Sequence, residues 1–175
     1  RTFKYKSTVY IPKPSRNPKG QKWTTFTPPA TTLCRRYRGR VLLRRSHLHN
    51  EARCLHGIAH REVMIGEQSF LVPYIEGHLL VAETLDEAAL HACLEPVHEA
   101  GYTFCDLRPS NVIVAAGQCY LIDWEFCTRT GTIIESMPSR PYSSGFTHPD
   151  LIWAKGVVDP RLDHFSMVRL QELLS

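Results

Sequence analysis

The chain has 175 residues, which suggests one domain with a real buried core. Its net charge of +4 hides an asymmetry, because residues 1–45 carry 13 Lys or Arg and no acid, whereas the remainder carries 8 basic residues against 17 acidic ones. The six Cys are scattered without a C-x-x-C pair, which argues against a disulfide framework and favours a cytoplasmic or nuclear protein. No apolar run approaches the length of about 18 residues that a membrane span needs.

The first part of the chain, residues 1–39, is a basic, Pro-rich arm. Residues 6–11 and 23–27 are its possible short strands, and Pro-containing turns lie between them. Positive charge without acids indicates an anionic partner for residues 1–45, either RNA or an acidic protein. Docking on the acidic remainder of the chain is the favoured alternative, because charge alone is an unspecific signal.

The next stretch predicts a strand, a helix and a second strand. Residues 40–45, RVLLRR, form a short apolar run with basic ends, which we interpret as a strand. Residues 46–59 carry apolar side chains near helical spacing and predict a helix. Residues 67–74 predict a strand, and the turn PYIEG of residues 73–77 follows it.

A metal site is one interpretation of Cys54, His56 and His60, to which Cys34 is a further candidate ligand. Their spacing matches no closed zinc pattern well. Because nine His in one chain form such groups by chance, satisfied or solvated helix His side chains are the favoured interpretation.

The clearest helix is predicted over residues 84–99. Thr84 and Glu87 have the spacing of an N-terminal capping box. An apolar stripe follows along one face of this helix, and Gly101 is a natural stop.

A β-hairpin is predicted directly after this helix. Residues 111–114 and 119–122 are apolar runs rich in β-branched side chains, and Gly117 between them can take a positive φ. A hairpin centred before Gly117 pairs Asn111 with about Ile122.

Polar side chains gather at the open end of this hairpin. Asn111 and Asp123 are neighbours there, and Asp106 lies on the loop that enters the first strand. Two carboxylates and an amide oxygen are ligands that Mg2+ prefers, completed by water and phosphates. The alternative is a plain hairpin with polar ends, since Asp and Asn suit turns.

The segment DLRPSN of residues 106–111, followed by Asp123-Trp124-Glu125, resembles the catalytic loop and the metal-binding D-F-G of protein kinases. The resemblance implies that Asp106 accepts the proton of the substrate hydroxyl and that Arg108 belongs to the catalytic loop. It implies further that Asn111 and Asp123 hold Mg2+ on the phosphates of ATP.

Other parts of the chain resemble the same family. Arg44 stands where the family has its phosphate-binding strand Lys, and Glu51 resembles the helix Glu that pairs with that Lys. A solvated acid in the first half of a helix is the equally weighted alternative for Glu51. Pro73, Tyr74 and Ile75 resemble the hinge whose backbone contacts adenine.

The C-terminal part is similar to the same family. Residues 126–146 resemble an activation segment, and His148-Pro149-Asp150 stands in place of A-P-E. Asp163 begins a predicted helix that resembles the central kinase helix, whose leading Asp anchors the catalytic loop.

Several positions depart from the family pattern. No Gly-rich phosphate loop is present, and Phe104 and Cys105 replace the catalytic-loop His and Arg. Phe104 can still pack in the core, whereas loss of the Arg predicts no activation by phosphorylation of the activation segment. Trp124 and Glu125 resemble the I-D-W-E of aminoglycoside and choline phosphotransferases, which share this chemistry.

The resemblance predicts an α+β, protein kinase-like two-lobe fold with a reduced β N-terminal lobe and a mainly helical, truncated C-terminal lobe. Residues 40–77 would form the N-terminal lobe remnant and hinge, and residues 78–175 the C-terminal lobe. The chain starts without Met and stops within a predicted helix, so we expect a fragment or a reduced member. The expected activity transfers the γ-phosphate of ATP, with Mg2+, to a hydroxyl, as on protein Ser or Thr. The alternative is a pseudokinase that acts as a binding or scaffolding module.

Overall fold

The computed structural model describes residues 32–36, 41–61, 63–65, 69–73, 75–81 and 86–174. These residues form a mixed helix and sheet structure, which confirms the predicted α+β class at that level. The possible strands at 6–11 and 23–27 lie outside the described residues. The helices are α1 (Val41–Gly57), α2 (Glu87–Glu99), α3 (Pro149–Trp153) and α4 (Arg161–Leu174). The strands are β1 (Thr32–Arg36), β2 (Met64–Ile65), β3 (Ser69–Pro73), β4 (His78–Leu79), β5 (Tyr102–Thr103), β6 (Val112–Ala115), β7 (Gln118–Leu121) and β8 (Thr128–Arg129).

The strand predicted over residues 40–45 is wrong, because α1 begins at Val41 and continues to Gly57. Leu and Arg are among the best helix formers, so this short run extends the helix that was predicted to begin at Ser46. The strand in this region is β1, which pairs antiparallel with β3 so that Thr32 lies opposite Pro73. β2 joins the other edge of β3, giving a three-stranded antiparallel sheet in the order β1-β3-β2.

The helix predicted over residues 84–99 is confirmed as α2, but it begins later and with a different cap. Asp86 is the N-cap residue, and its carboxylate accepts a hydrogen bond of 3.2 Å from the backbone N–H of Ala89. Thr84 lies outside the described residues. Gly101, with φ of 76°, follows the end of α2 in the left-handed conformation that glycine tolerates.

One hydrophobic cluster joins most of the described elements. Trp124 and Phe104 lie within it, and α1 packs over the short 3-10 helix Trp124–Phe126. A smaller cluster lies under α3 and the start of α4 and includes Leu151 and Leu162. The larger cluster draws buried side chains from α1 and the turn that follows it, and from α2, β6, β7 and α4: Ala52, Leu55, Ile58, Leu90, Leu94, Val97, Val112, Leu121, Met167 and Leu170.

The structure describes the side chains of five Cys. Four of them are buried, Cys93 is partly buried, and all five are free. Within the described ranges, no helix combines the length and the apolar character that crossing a bilayer requires.

Candidate functional site

The predicted hairpin is confirmed, with its turn at Ala116 and Gly117. Both turn residues have positive φ, 50° and 75°, which is typical of the two-residue turns whose twist matches that of antiparallel strands. Val112 lies opposite Leu121, and one position further on the N–H of Ile122 donates to the carbonyl oxygen of Asn111 at 2.9 Å. The register therefore brings Asn111 and the residue that precedes Asp123 side by side, as the sequence predicts.

Asp106 and Asn111 are in direct contact. The Asn111 Nδ2 donates to Oδ2 of Asp106 and to its carbonyl oxygen, both at 2.9 Å. Both side chains are buried. These bonds use both hydrogens of the Asn111 amide, so its Oδ1 atom is turned away from Asp106. The Ser110 hydroxyl donates to this Oδ1 atom over a long distance of 3.4 Å. The amide oxygen keeps acceptor capacity for a cation.

Burial raises the pKa of Asp106 to about 6, and the neighbouring charge of Asp123 adds to the rise. Arg108 is the main opposing influence, with its Nε atom 3.5 Å from Oδ2 of Asp106. Among the described residues, this buried Nε atom has no hydrogen-bond partner. A carboxyl group whose pKa lies near neutral pH suits general base chemistry, because it can accept a proton and release it again.

The Asp106 carboxylate has a further partner in Ser143. The Ser143 hydroxyl donates to Oδ1 of Asp106 at 3.3 Å, and the backbone N–H of Ser143 donates to the Thr147 hydroxyl at 2.7 Å. Ser143 lies in the segment predicted to resemble an activation segment, 37 residues from Asp106. Sequence reasoning missed this residue, because no local pattern reports a contact between two loops so far apart.

A residue of α4 anchors the loop that carries Asp106 through hydrogen bonds to its backbone. Asp163 is fully buried, and its carboxylate accepts from the backbone N–H groups of Phe104 and Cys105 at 2.7 and 2.8 Å. His98 of α2 contacts the same carboxylate at 2.9 Å. The contact that the sequence implies between Asp163 and this loop is therefore present, whereas His98 was not anticipated.

Asp123 lies in the left-handed region, with φ of 65° and ψ of 57°. Such a conformation is costly for a residue other than glycine and is concentrated at functional sites. Trp124 after it is buried, donates to the Leu121 carbonyl oxygen at 2.9 Å and packs edge-on against Phe104. Packing of Phe104 in the core is thereby confirmed.

Helix α1 is fastened over the segment that follows Asp123. The Asn50 Nδ2 donates to the carbonyl oxygens of Glu125 and Cys127, at 3.1 and 2.9 Å. Glu51, the next residue, is 1% exposed and lies in the eleventh position of the 17-residue helix. The alternative of a solvated acid is therefore wrong for Glu51.

Arg44 lies in α1 together with Glu51 and not on a strand beside that helix, so the predicted strand position of Arg44 is wrong, whereas its pairing with Glu51 stays a prediction. Seven residues along a helix are separated by about 10 Å of rise, so the two Cα atoms lie nearly two turns apart. The side chain of Arg44 lies outside the described residues, so its contact with ATP stays a prediction. The strand on which that prediction depended is part of helix α1.

The remaining predicted ATP-binding residues lie in the stretch between β3 and β4. Pro73 ends β3, Ile75 is half-buried, and Tyr74 lies outside the described residues. Their contact with adenine stays a prediction.

In the part of the chain that the structure describes, no three His, Cys, Asp or Glu side chains converge so as to hold a metal ion. At the loop and hairpin end, the acids are Asp106 and Asp123, and the third oxygen donor is the amide of Asn111. Of the alternative zinc ligands, Cys54 is buried while His56 and His60 are exposed.

Comparison of the chain with models of protein families and with curated proteins finds no match to either. The central feature of the site is a buried carboxylate in contact with an amide and close to a second carboxylate.

Proposed function

We propose that this chain is a phosphotransferase that moves the γ-phosphate of Mg-ATP to a hydroxyl, on Ser or Thr of a protein substrate. The observation that carries the proposal is the contact of Asp106 with Asn111, at the end of the hairpin from which Asp123 emerges. A general base, an amide oxygen and a second carboxylate are the groups that phosphoryl transfer of this kind uses.

The fold that we propose for this activity is a reduced protein kinase-like two-lobe fold. Its support is the arrangement around the site: α1 lies over the segment after Asp123, α2 leads into the loop of Asp106, and Asp163 of α4 holds that loop. The predicted boundary of the arm at residue 39 is wrong, because β1 (Thr32–Arg36) pairs with β3 in the sheet, so the arm outside this fold would be limited to residues 1–31.

The donor set suits Mg2+. Asp123 and the Oδ1 atom of Asn111 offer hard oxygen ligands, and the Asn111 nitrogen is already committed to Asp106. When bound, the ion would neutralise charge on the phosphate groups of ATP and orient them. Asn111 and Asp123 are therefore the residues that we propose to hold it.

Asp106 supplies the chemistry on the acceptor side. Its carboxylate lies next to the Ser143 hydroxyl, so one of its oxygens already meets a hydroxyl donor. With a pKa raised to about 6 by burial, the ionised form dominates at neutral pH and takes up a proton readily. Asn111 and Ser143 fix the orientation of the carboxylate, and the Arg108 guanidinium beside it opposes the rise in its pKa.

The experiment that tests the proposal compares two variants in nucleotide binding and in transfer. Asp123→Ala should abolish the Mg-dependent part of ATP binding, because it removes a metal ligand. Asp106→Asn should leave ATP affinity within about twofold of wild type and remove phosphoryl transfer, because the base acts mainly in the transition state. Glu135→Gln, which removes an exposed acid, is the control. Equal ATP binding with and without Mg2+ in wild type would refute the metal role.

A pseudokinase is the second candidate, favoured by the absence of a Gly-rich phosphate loop and by the helix that replaces the predicted strand of Arg44. Such a domain would bind partners without transferring phosphate. The melting temperature with and without Mg-ATP, together with a turnover assay, separates the two candidates. Nucleotide binding without turnover would favour the pseudokinase, and no binding at all would favour a scaffold.

A further inference from the structure

Two thiols of the hydrophobic core meet where α1 packs on the segment that follows Asp123. Cys54 lies in α1, and Cys127 directly follows the 3-10 helix Trp124–Phe126, over which α1 packs. Both side chains are 1% exposed and belong to the same hydrophobic cluster. The two thiols share a hydrogen bond, and both are free.

The backbone on both sides of this contact is fixed by Asn50. The Asn50 Nδ2 donates to the carbonyl oxygen of Cys127 at 2.9 Å and to that of Glu125 at 3.1 Å. Asn50 and Cys54 are four residues apart in α1, so they lie on the same face of the helix. The side chain of Asn50 therefore holds the Cys127 backbone against the face of α1 that carries Cys54.

The two thiols differ in their tendency to ionise. The hydrogen bond from the Cys127 thiol is the main cause of the lowered pKa of Cys54, burial opposes it, and the Arg53 charge adds to it. Arg53 is fastened beside the pair, because its Nη2 donates to Oδ1 of Asn50 at 2.8 Å. The same thiol hydrogen bond, together with burial, raises the pKa of Cys127. An unequal pair suits a reaction in which one thiolate attacks and its neighbour resolves the product.

We infer that Cys54 and Cys127 form a redox-active dithiol, which a peroxide oxidises to a disulfide that joins α1 to the segment after Asp123. Because the core shields both thiols, the oxidant that fits is a molecule as small as hydrogen peroxide. The inference does not depend on the proposed function, since it uses only the contact between these two elements.

The oxidation proceeds in two balanced steps. The Cys54 thiolate attacks one oxygen of hydrogen peroxide and becomes a sulfenic acid, and the hydroxide that leaves takes up the proton that Cys54 had released. The Cys127 sulfur then attacks the sulfur of Cys54, and the Cys127 proton leaves with the hydroxyl group as a second water. Two electrons pass from the two sulfurs to the peroxide, and a dithiol reductant reverses the change.

The disulfide would act as a reversible lock on α1. Cys54 and Cys127 are more than 70 residues apart in the sequence. A cross-link that closes so long a loop restricts the unfolded chain, so the oxidised protein should be more stable than the reduced one. The lock would also fix α1 against the segment that begins with the proposed metal ligand, Asp123.

Two other interpretations of these cysteines predict different products. Inert core cysteines, which behave as small hydrophobic side chains, predict no cross-link in the native protein. Cys105 is also close enough to Cys127 to raise its pKa. The Cys105 thiol, however, donates to the carbonyl oxygen of Thr103 at 3.5 Å and belongs to the smaller hydrophobic cluster. The structure therefore favours Cys54 as the partner of Cys127.

The test treats the full chain with hydrogen peroxide under native conditions, blocks the remaining thiols after denaturation and identifies cross-linked peptides by mass spectrometry without reduction. The variants are Cys54→Ala and Cys127→Ala. The control is Cys93→Ala, since Cys93 is partly buried in α2 and its thiol donates to the carbonyl oxygen of Leu90 at 3.1 Å. The melting temperature is measured before oxidation, after it and after treatment with dithiothreitol.

We expect a peptide in which Cys54 is linked to Cys127 as the main product, and a rise in melting temperature of about 5–15 °C that dithiothreitol reverses. Cys54→Ala and Cys127→Ala should lose both effects, and Cys93→Ala should keep both. No such cross-link in wild type, a main cross-link through Cys105, or an oxidised protein that melts no higher than the reduced one would overturn the inference. Wild type alone carries this decision, so it stands even where a variant does not fold.

Discussion

The substitution Asp106→Asn should make the protein more stable at neutral pH while removing the proposed activity. The folded protein raises the pKa of Asp106 from 3.8 to about 6, chiefly through burial, and the side chain is only 5% exposed. One pKa unit corresponds to about 1.4 kcal/mol, so ionising Asp106 in the folded state costs about 3 kcal/mol relative to the unfolded chain.

The sign of the pH dependence follows from the raised pKa. Between about pH 4 and pH 6 the folded state binds more protons at Asp106 than the unfolded state does, so the stability of wild type falls as pH rises. Asn does not ionise, so the variant escapes this loss. It can still accept from Asn111 and meet Ser143, which preserves the contacts of the carboxyl group.

Urea unfolding of the apo protein, followed by tryptophan fluorescence, measures this effect. Asp106→Asn should exceed wild type in the free energy of unfolding by up to about 3 kcal/mol at pH 7 and match it near pH 4. Glu135→Gln, an exposed acid, should show no comparable gain. A variant that is no more stable than wild type at pH 7, or equally stabilised at both pH values, would refute the electrostatic reasoning.

Three other predictions concern the site, a packing contact and the arm. Ser143→Ala removes a hydrogen bond that lowers the pKa of Asp106, so the acidic limb of the pH profile of kcat/KM should move to higher pH, whereas Ser143→Thr should leave it in place. Gly77→Ala brings a Cβ atom to 2.5 Å from a carbonyl oxygen of β6 and should destabilise the protein by about 1–3 kcal/mol in urea unfolding. The control Gly57→Ala, where nothing lies within 4 Å of the added atom, should not destabilise. Titration of a fluorescent RNA at two salt concentrations tests whether residues 1–45 bind nucleic acid. An absence of binding at low salt would refute the RNA hypothesis and favour docking of these residues on the acidic remainder of the chain.

The part of the site that the sequence predicts well is governed by neighbours along the chain. The hairpin follows from two short β-branched runs and a turn residue that tolerates positive φ, and its register then fixes the position of Asn111. Ala116 also has a positive φ, and this could not be predicted from the sequence because residues with a Cβ atom rarely adopt it. Local chemistry therefore predicts where the oxygen ligands gather.

The N-terminal elements are predicted poorly because their signals are ambiguous or distant. The run RVLLRR of residues 40–45 is short enough to suit a strand or a helix, and continuity with the following helix decides the outcome. β1 pairs with β3 across more than 30 residues, a choice that no local pattern records. The N-cap of α2 is Asp86 and not the predicted Thr84 for another reason. Both are residue types that suit an N-cap, so residue type alone does not choose between them.

Two of the residues that support Asp106 and its loop, Ser143 and His98, were missed for the same physical reason. The partners of its loop come from 37 residues away at Ser143 and from 58 and 59 residues away at Asp163. His98 is separated from Asp163 by 65 residues. Only Asp163 had a sequence signal, which came from resemblance and not from spacing.

The cost of keeping Asp106 ionised separates the two candidate functions. The chain gathers a buried carboxylate with a raised pKa, a left-handed Cys105 and a left-handed Asp123 in one small region. Strain and unfavourable burial of this kind are typical of sites whose geometry is used. A module that only binds nucleotide or a partner would gain stability from Asn at position 106 and would lose nothing that depends on accepting a proton. The retained carboxylate therefore favours phosphoryl transfer, and the comparison of stability and turnover in Asp106→Asn tests that reasoning directly.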